Sequence, residues 1–71
     1  MQEDLIFKNL AQKITKLRKA KKLSVQEAAY NCDIDKANLI RIEKGRTHPT
    51  VKTLIKIAHG YEVEVKELFD F

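Results

Sequence analysis

The sequence predicts an all-α protein, folded as a bundle of five short helices. Apolar residues recur at intervals of three and four, the spacing that places them on one face of a helix. Residues that cap helices stand just before several of these segments. Two glycines and one proline in 71 residues leave no stretch that resembles a linker. We therefore expect residues 1–71 to form one domain.

The first helix is predicted over residues 5–21, where apolar side chains recur about one helical turn apart. These side chains are Ile6, Leu10, Ile14 and Leu17. The second helix is predicted from Val25 to about Asn31. It begins with a capping box, in which the Ser24 oxygen accepts from the amide of Glu27 and the Glu27 side chain reaches back. Its inward face is small and consists of Ala28, Ala29 and Cys32.

The third helix is predicted over about 36–44. Asp35 precedes it as N-cap, since a carboxylate suits the unpaired amides and the positive end of a helix. Leu39 and Ile42 lie three residues apart and are expected to face inward. Gly45 is the expected left-handed stop.

Thr50 is the predicted cap of a fourth helix, which we expect to stop at Gly60. Its apolar residues at helical spacing are Val51, Leu54, Ile55 and Ala58. Residues 63–69 alternate apolar and charged side chains, as a strand does. We predict a final helical turn there instead, because no second strand is available for pairing.

The net charge of +4 is unevenly distributed. Residues 1–22 carry seven basic and two acidic side chains, and residues 35–56 carry six basic and two acidic side chains. Residues 23–34 hold two acids and no base, and residues 57–71 hold four acids and one lysine. The basic character lies in two blocks, which is compatible with an anionic partner such as nucleic acid.

Composition argues against several protein classes. A single cysteine, Cys32, rules out a disulfide framework, and with two isolated histidines it provides no metal site. Ser24 is the only serine and has no histidine near it in sequence, so we expect no enzyme and no cofactor. Apolar runs such as residues 5–7 are too short to span a membrane, and no membrane partner is expected. The acidic N-terminus is unlike a secretory signal, which predicts a cytoplasmic location.

The second and third helices are separated by Cys32-Asp33-Ile34, the layout of a helix-turn-helix. Here the chain resembles the phage repressor and Cro-type, or XRE-type, helix-turn-helix DNA-binding domain, whose fold is lambda-repressor-like. The matching residues are Arg18, Leu23-Ser24, Gln26-Glu27-Ala28-Ala29, Ile34-Asp35, Leu39-Ile40-Arg41-Ile42-Glu43-Lys44-Gly45, Pro49, Leu54, Ile57-Ala58 and Glu67-Leu68-Phe69.

The resemblance implies a role for each matching residue. Base-reading positions correspond to Lys36, Ala37 and Arg41, of which Arg41 suits guanine O6 and N7 in the major groove. Positions that bind DNA phosphates correspond to Asn38, Lys44 and Arg46, and to Gln26, which stands one place later than the family's usual glutamine. Arg18 and Glu43 correspond to an ion pair that joins the first helix to the end of the third. Asp33 and Glu62 replace two common glycines.

The resemblance also implies a transcriptional regulator that binds a palindromic operator in double-stranded DNA as a homodimer, with no small-molecule ligand. Candidate residues for the dimer interface are Leu5, Ile6, Phe7, Tyr61, Phe69 and Phe71. The alternative is a protein-interaction module, or an antitoxin-like partner, that has kept this fold. Operator sequence, regulated genes and the choice between repressor and activator stay open.

Overall fold

The computed structural model describes residues 2–71, with side chains from Asp4 onward. Its elements are α1 (Gln2–Ala20), α2 (Val25–Cys32), α3 (Lys36–Glu43), α4 (Val51–Tyr61) and a C-terminal 3-10 helix (Val65–Phe69). The all-α prediction is confirmed, and residues 2–71 contain no strand. The fifth element is a 3-10 helix, and α1 begins three residues before the predicted start. No helix in this range is long and apolar enough to cross a membrane.

Two of the three predicted N-caps form as expected. The amide of Glu27 donates to Ser24 Oγ at 3.0 Å, and the amide of Ser24 donates to Glu27 Oε1 at 2.9 Å. Hydrogen bonds to the Glu27 carboxyl from the Ser24 amide and then from the Ser24 side chain lower the pKa of that carboxyl. The amide of Thr53 donates to Thr50 Oγ1 at 3.2 Å. Asp35 occupies the N-cap position of α3, but its side chain makes no capping hydrogen bond, so that part of the prediction is wrong.

The core lies where α2 packs against α3 and α4, and where α1 packs against α3 and the 3-10 helix. Its buried residues are Leu10, Ile14, Ala28, Ala29, Cys32, Leu39, Ile42, Leu54, Ile57, Ala58, Tyr61 and Leu68. Tyr61 is only 1% exposed, so its assignment to a dimer interface is wrong. Val51 and Ile55 are 70% and 53% exposed, because they lie outside the face of α4 that packs into the core.

Gly60 lies inside α4, and the prediction that it ends this helix is wrong. Its position is explained by the close approach of α2. A Cβ atom at Gly60 would clash with Cys32 Sγ and would lie 2.8 Å from both the Cα and the N of Cys32. α4 ends instead at Tyr61, and Glu62 caps it in the left-handed conformation with φ of 58°. The expected left-handed Gly45 is confirmed, with φ of 70°.

Candidate nucleic-acid interface

The turn between α2 and α3 is fixed by backbone and side-chain contacts at Asp33. This residue is left-handed, with φ of 56°, and ends α2 in the place of the family's glycine. The next amide, that of Ile34, donates to Ala29 O at 3.1 Å. Lys56 of α4 donates from Nζ to Asp33 O at 3.3 Å, which places a cation at the negative end of α2. These contacts define the path of the chain from α2 into α3.

Side chains on opposite faces of α3 have opposite environments. Leu39 and Ile42 are 0% and 2% exposed and anchor the helix in the core. The small side chains of Ala28 and Ala29 on α2 allow α3 to approach closely. The residues predicted to read bases, Lys36, Ala37 and Arg41, are all exposed. α3 therefore presents a fixed and accessible basic face.

The predicted phosphate-binding residues are distributed over three segments. Lys44 and Arg46 are exposed in the loop directly after α3, where the amide of Arg46 donates to Arg41 O at 2.9 Å. This bond ties the backbone of Arg46 to the last turn of α3. Asn38 is half-buried on α3, and Gln26 is exposed in the first turn of α2. The structure brings Lys44 and Arg46 beside Arg41, and Gln26 lies on the neighbouring helix.

Arg18 joins α1 to both ends of the helix-turn-helix. Its Nε donates to Glu43 Oε2 at 2.7 Å, and its Nη2 donates to Glu43 Oε1 at 3.2 Å. A third bond runs from Nη1 to Leu23 O at 2.8 Å. The two side chains are 12% and 9% exposed, and the hydrogen bonds that Arg18 donates to Glu43 raise the pKa of Arg18. Arg18 also neutralises the negative charge of the Glu43 carboxylate at the end of α3, next to the basic face.

The loop 44–50 is held against α1 by a contact that sequence patterns did not predict. The rings of Phe7 and His48 are stacked, with centroids 3.8 Å apart and planes at 7°. Phe7 and His48 are far apart in sequence and share no local motif, so only the fold brings them together. The stack joins the loop that carries Lys44 and Arg46 to α1.

Cys32 is a core residue and not a reactive thiol. It is 2% exposed, and burial raises its pKa to about 11, so the thiolate is disfavoured at neutral pH. Its Sγ lies 3.7 Å from Ile57 O on α4. Over the described part of the chain, no group of three His, Cys, Asp or Glu residues is placed to hold a metal ion.

Comparison with known proteins gives consistent matches in sequence and in structure. A family model described as helix-turn-helix matches residues 14–68. The transcriptional regulator SlrR of Bacillus subtilis (strain 168) is 41% identical over 54 residues, which cover 75% of this chain and 36% of SlrR. The chain thus spans about a third of the length of this relative.

Solved structures share the fold over almost the whole chain. The restriction-modification controller protein C.AhdI from Aeromonas hydrophila is 27% identical with a TM-score of 0.86, and the match covers 89% of this chain and 96% of that protein. An HTH_3 family transcriptional regulator from Vibrio cholerae is 35% identical with a TM-score of 0.89. That match covers 93% of this chain and 37% of the regulator.

Proposed function

This chain belongs to the helix-turn-helix family of DNA-binding transcriptional regulators, and from that membership we propose that it binds a two-fold symmetric operator as a homodimer, with α3 in the major groove. The resemblance to phage repressor and Cro-type domains is confirmed by the family match. Its family and its relatives are transcriptional regulators and not enzymes.

One observation carries the proposal for α3. Four basic side chains, those of Lys36, Arg41, Lys44 and Arg46, are exposed on and directly after this helix. The opposite side of α3 is fully packed, so the helix cannot rotate to hide them. A rigid helix with basic side chains on its free face has the shape and charge that the major groove accepts.

Arg41 is the residue that we propose to read a guanine through its two-pronged guanidinium. We expect Arg41→Ala to cost about 1–3 kcal/mol on the preferred site and to relax discrimination at one base pair. Fluorescence titration against the preferred duplex and its single-base-pair variants measures both effects. Unchanged affinity together with unchanged preference would contradict the assignment of α3 as the reading helix.

Lys44 is the matched control for Arg41, because it is a neighbouring cation assigned to a phosphate. We expect Lys44→Ala to weaken binding to all sequences by a similar factor, since phosphates carry no sequence information. The slope of log K against log salt should become shallower by about 0.9. A loss confined to the preferred sequence would assign Lys44 to base reading instead.

The homodimer is proposed from the apolar surface of α4, α1 and the 3-10 helix. Large apolar side chains exposed by 44% or more on these elements are Leu5, Ile6, Val51, Ile55 and Phe69, and Phe71, just after the 3-10 helix, is 57% exposed. The 3-10 helix packs against both α1 and α4, so the three elements adjoin. Two copies joined through this surface would present two α3 helices, as an operator with two-fold symmetry requires.

We expect Ile55→Glu to shift the protein toward the monomer, because a carboxylate would be buried without a partner at the interface. Sedimentation equilibrium measures the change in mass. The matched control is Tyr30→Glu, which places the same charge on an 86% exposed aromatic residue of α2, outside this surface. If Ile55→Glu and the control dimerise as tightly as the original chain, the proposed interface is wrong.

A further inference from the structure

A basic hollow adjoins the end of α3, and it is formed partly by α1. Its lining residues are Asp4, Phe7, Lys8, Lys44, Gly45 and His48. We propose that Lys8 and His48 form, together with Lys44, an additional subsite for a DNA phosphate, so that the first turns of α1 contact the DNA backbone. This inference rests on the proposed function, because it extends the DNA surface of α3 onto α1.

The ring stack determines how the hollow is built. Phe7 covers one face of the His48 ring, with the planes only 7° apart. The ring nitrogens of a histidine lie in the ring plane, so stacking leaves the imidazole edge free to donate a hydrogen bond. His48 remains exposed despite the stack. Lys8 follows Phe7 directly on α1 and is also exposed, which places an ammonium group beside the same hollow.

The chemistry of the hollow favours a phosphate oxygen. Two lysine side chains and an imidazole N–H are donors, and two of them are positively charged. Lys44 joins this hollow to the basic face of α3, so a duplex held on α3 lies next to it. Asp4 is the opposing group, because its carboxylate lines the same hollow and repels an anion. The charged groups there are two ammoniums and one carboxylate, which leaves an excess of positive charge.

Lys13 on α1 is a control for Lys8, because it tests whether any exposed lysine of α1 would have the same effect on DNA binding. Lys13 lies in a different hollow, lined by Asn9, Gln12, Lys13, Lys16, Asp70 and Phe71. No residue of α3 or of loop 44–50 belongs to that hollow. Lys13 and Asp70 therefore reproduce the charges of Lys8 and Asp4 at a place without a link to α3.

Equilibrium binding over a salt series tests the subsite, with the preferred duplex and a random duplex as probes. We expect Lys8→Gln to weaken both by the same factor and to make the salt slope shallower by about 0.9. We expect Asp4→Asn to tighten binding to both, a gain that misfolding cannot produce. Lys13→Gln and Asp70→Asn are the controls, and their salt slopes should equal that of the original chain.

Equal effects of Lys8→Gln and Lys13→Gln on the slope would overturn the subsite, because only net charge would then matter. The proposed function would survive that result if the original chain still bound DNA and Arg41→Ala still lost affinity. His48→Phe keeps the stack and removes the N–H donor, so it should weaken binding without lowering the melting temperature. If it binds as tightly as the original chain, the contact from His48 is refuted.

Discussion

Replacing Gly60 with alanine is expected to lower the free energy of unfolding by about 2–4 kcal/mol. Helix propensity alone predicts that this substitution raises the free energy of unfolding, because alanine is favoured over glycine in a helix interior by about 1 kcal/mol. The clash with α2 outweighs that gain. Two of the three nearest atoms belong to the backbone of Cys32, 2.8 Å from the new Cβ, and they cannot move without separating α2 from α4.

Urea denaturation of Gly60→Ala measures this effect, and a Cys32→Ala background is the control. Cys32→Ala removes the sulfur but leaves Cα and N of residue 32 in place, so the penalty of Gly60→Ala should persist in the double variant. A Gly60→Ala protein as stable as the original chain would mean that α2 and α4 are farther apart than described.

Breaking the Arg18–Glu43 pair is expected to produce the second large loss, about 3 kcal/mol for either Arg18→Ala or Glu43→Ala. The two side chains are 12% and 9% exposed, so removal of one leaves the other charge with little access to water. Removal of Arg18 also leaves the Leu23 carbonyl without its 2.8 Å donor. The chain would lose the connection that ties α1 to both ends of the helix-turn-helix.

A double-mutant cycle separates the pair from the packing of each side chain. The double variant Arg18→Ala/Glu43→Ala should cost much less than the sum of the single variants, because each single loss includes the penalty of an unpaired charge. Urea denaturation at neutral pH provides the three values. Additive losses would show that Arg18 and Glu43 do not interact in solution.

Local chemistry made most of the helix boundaries predictable. The capping box of Ser24 and Glu27 and the Thr50 cap rely on residues three positions apart, so sequence spacing contains the whole interaction. The left-handed stop at Gly45 is likewise local. The start of α2, the start of α4 and the end of α3 follow from such signals.

Other features depend on contacts between distant segments and could not be predicted. Gly60 matches a helix stop in sequence, and only the position of Cys32 reveals why a side chain is excluded there. Periodicity alone did not show that Ile55 lies beside the buried stripe of α4, nor that Tyr61 belongs to it. The stack of Phe7 on His48 joins α1 to loop 44–50, and no local pattern contains both residues.

Selection of bound duplexes from a random DNA pool at moderate salt tests DNA recognition by α3. We expect enrichment of one sequence with two-fold symmetry and half-sites about one helical turn, ~34 Å, apart. In the same selection, the Arg41→Ala protein should show no sequence preference at one base pair of each half-site. Failure of the original chain to enrich any sequence would contradict DNA recognition by α3 and would favour a protein-interaction module with this fold.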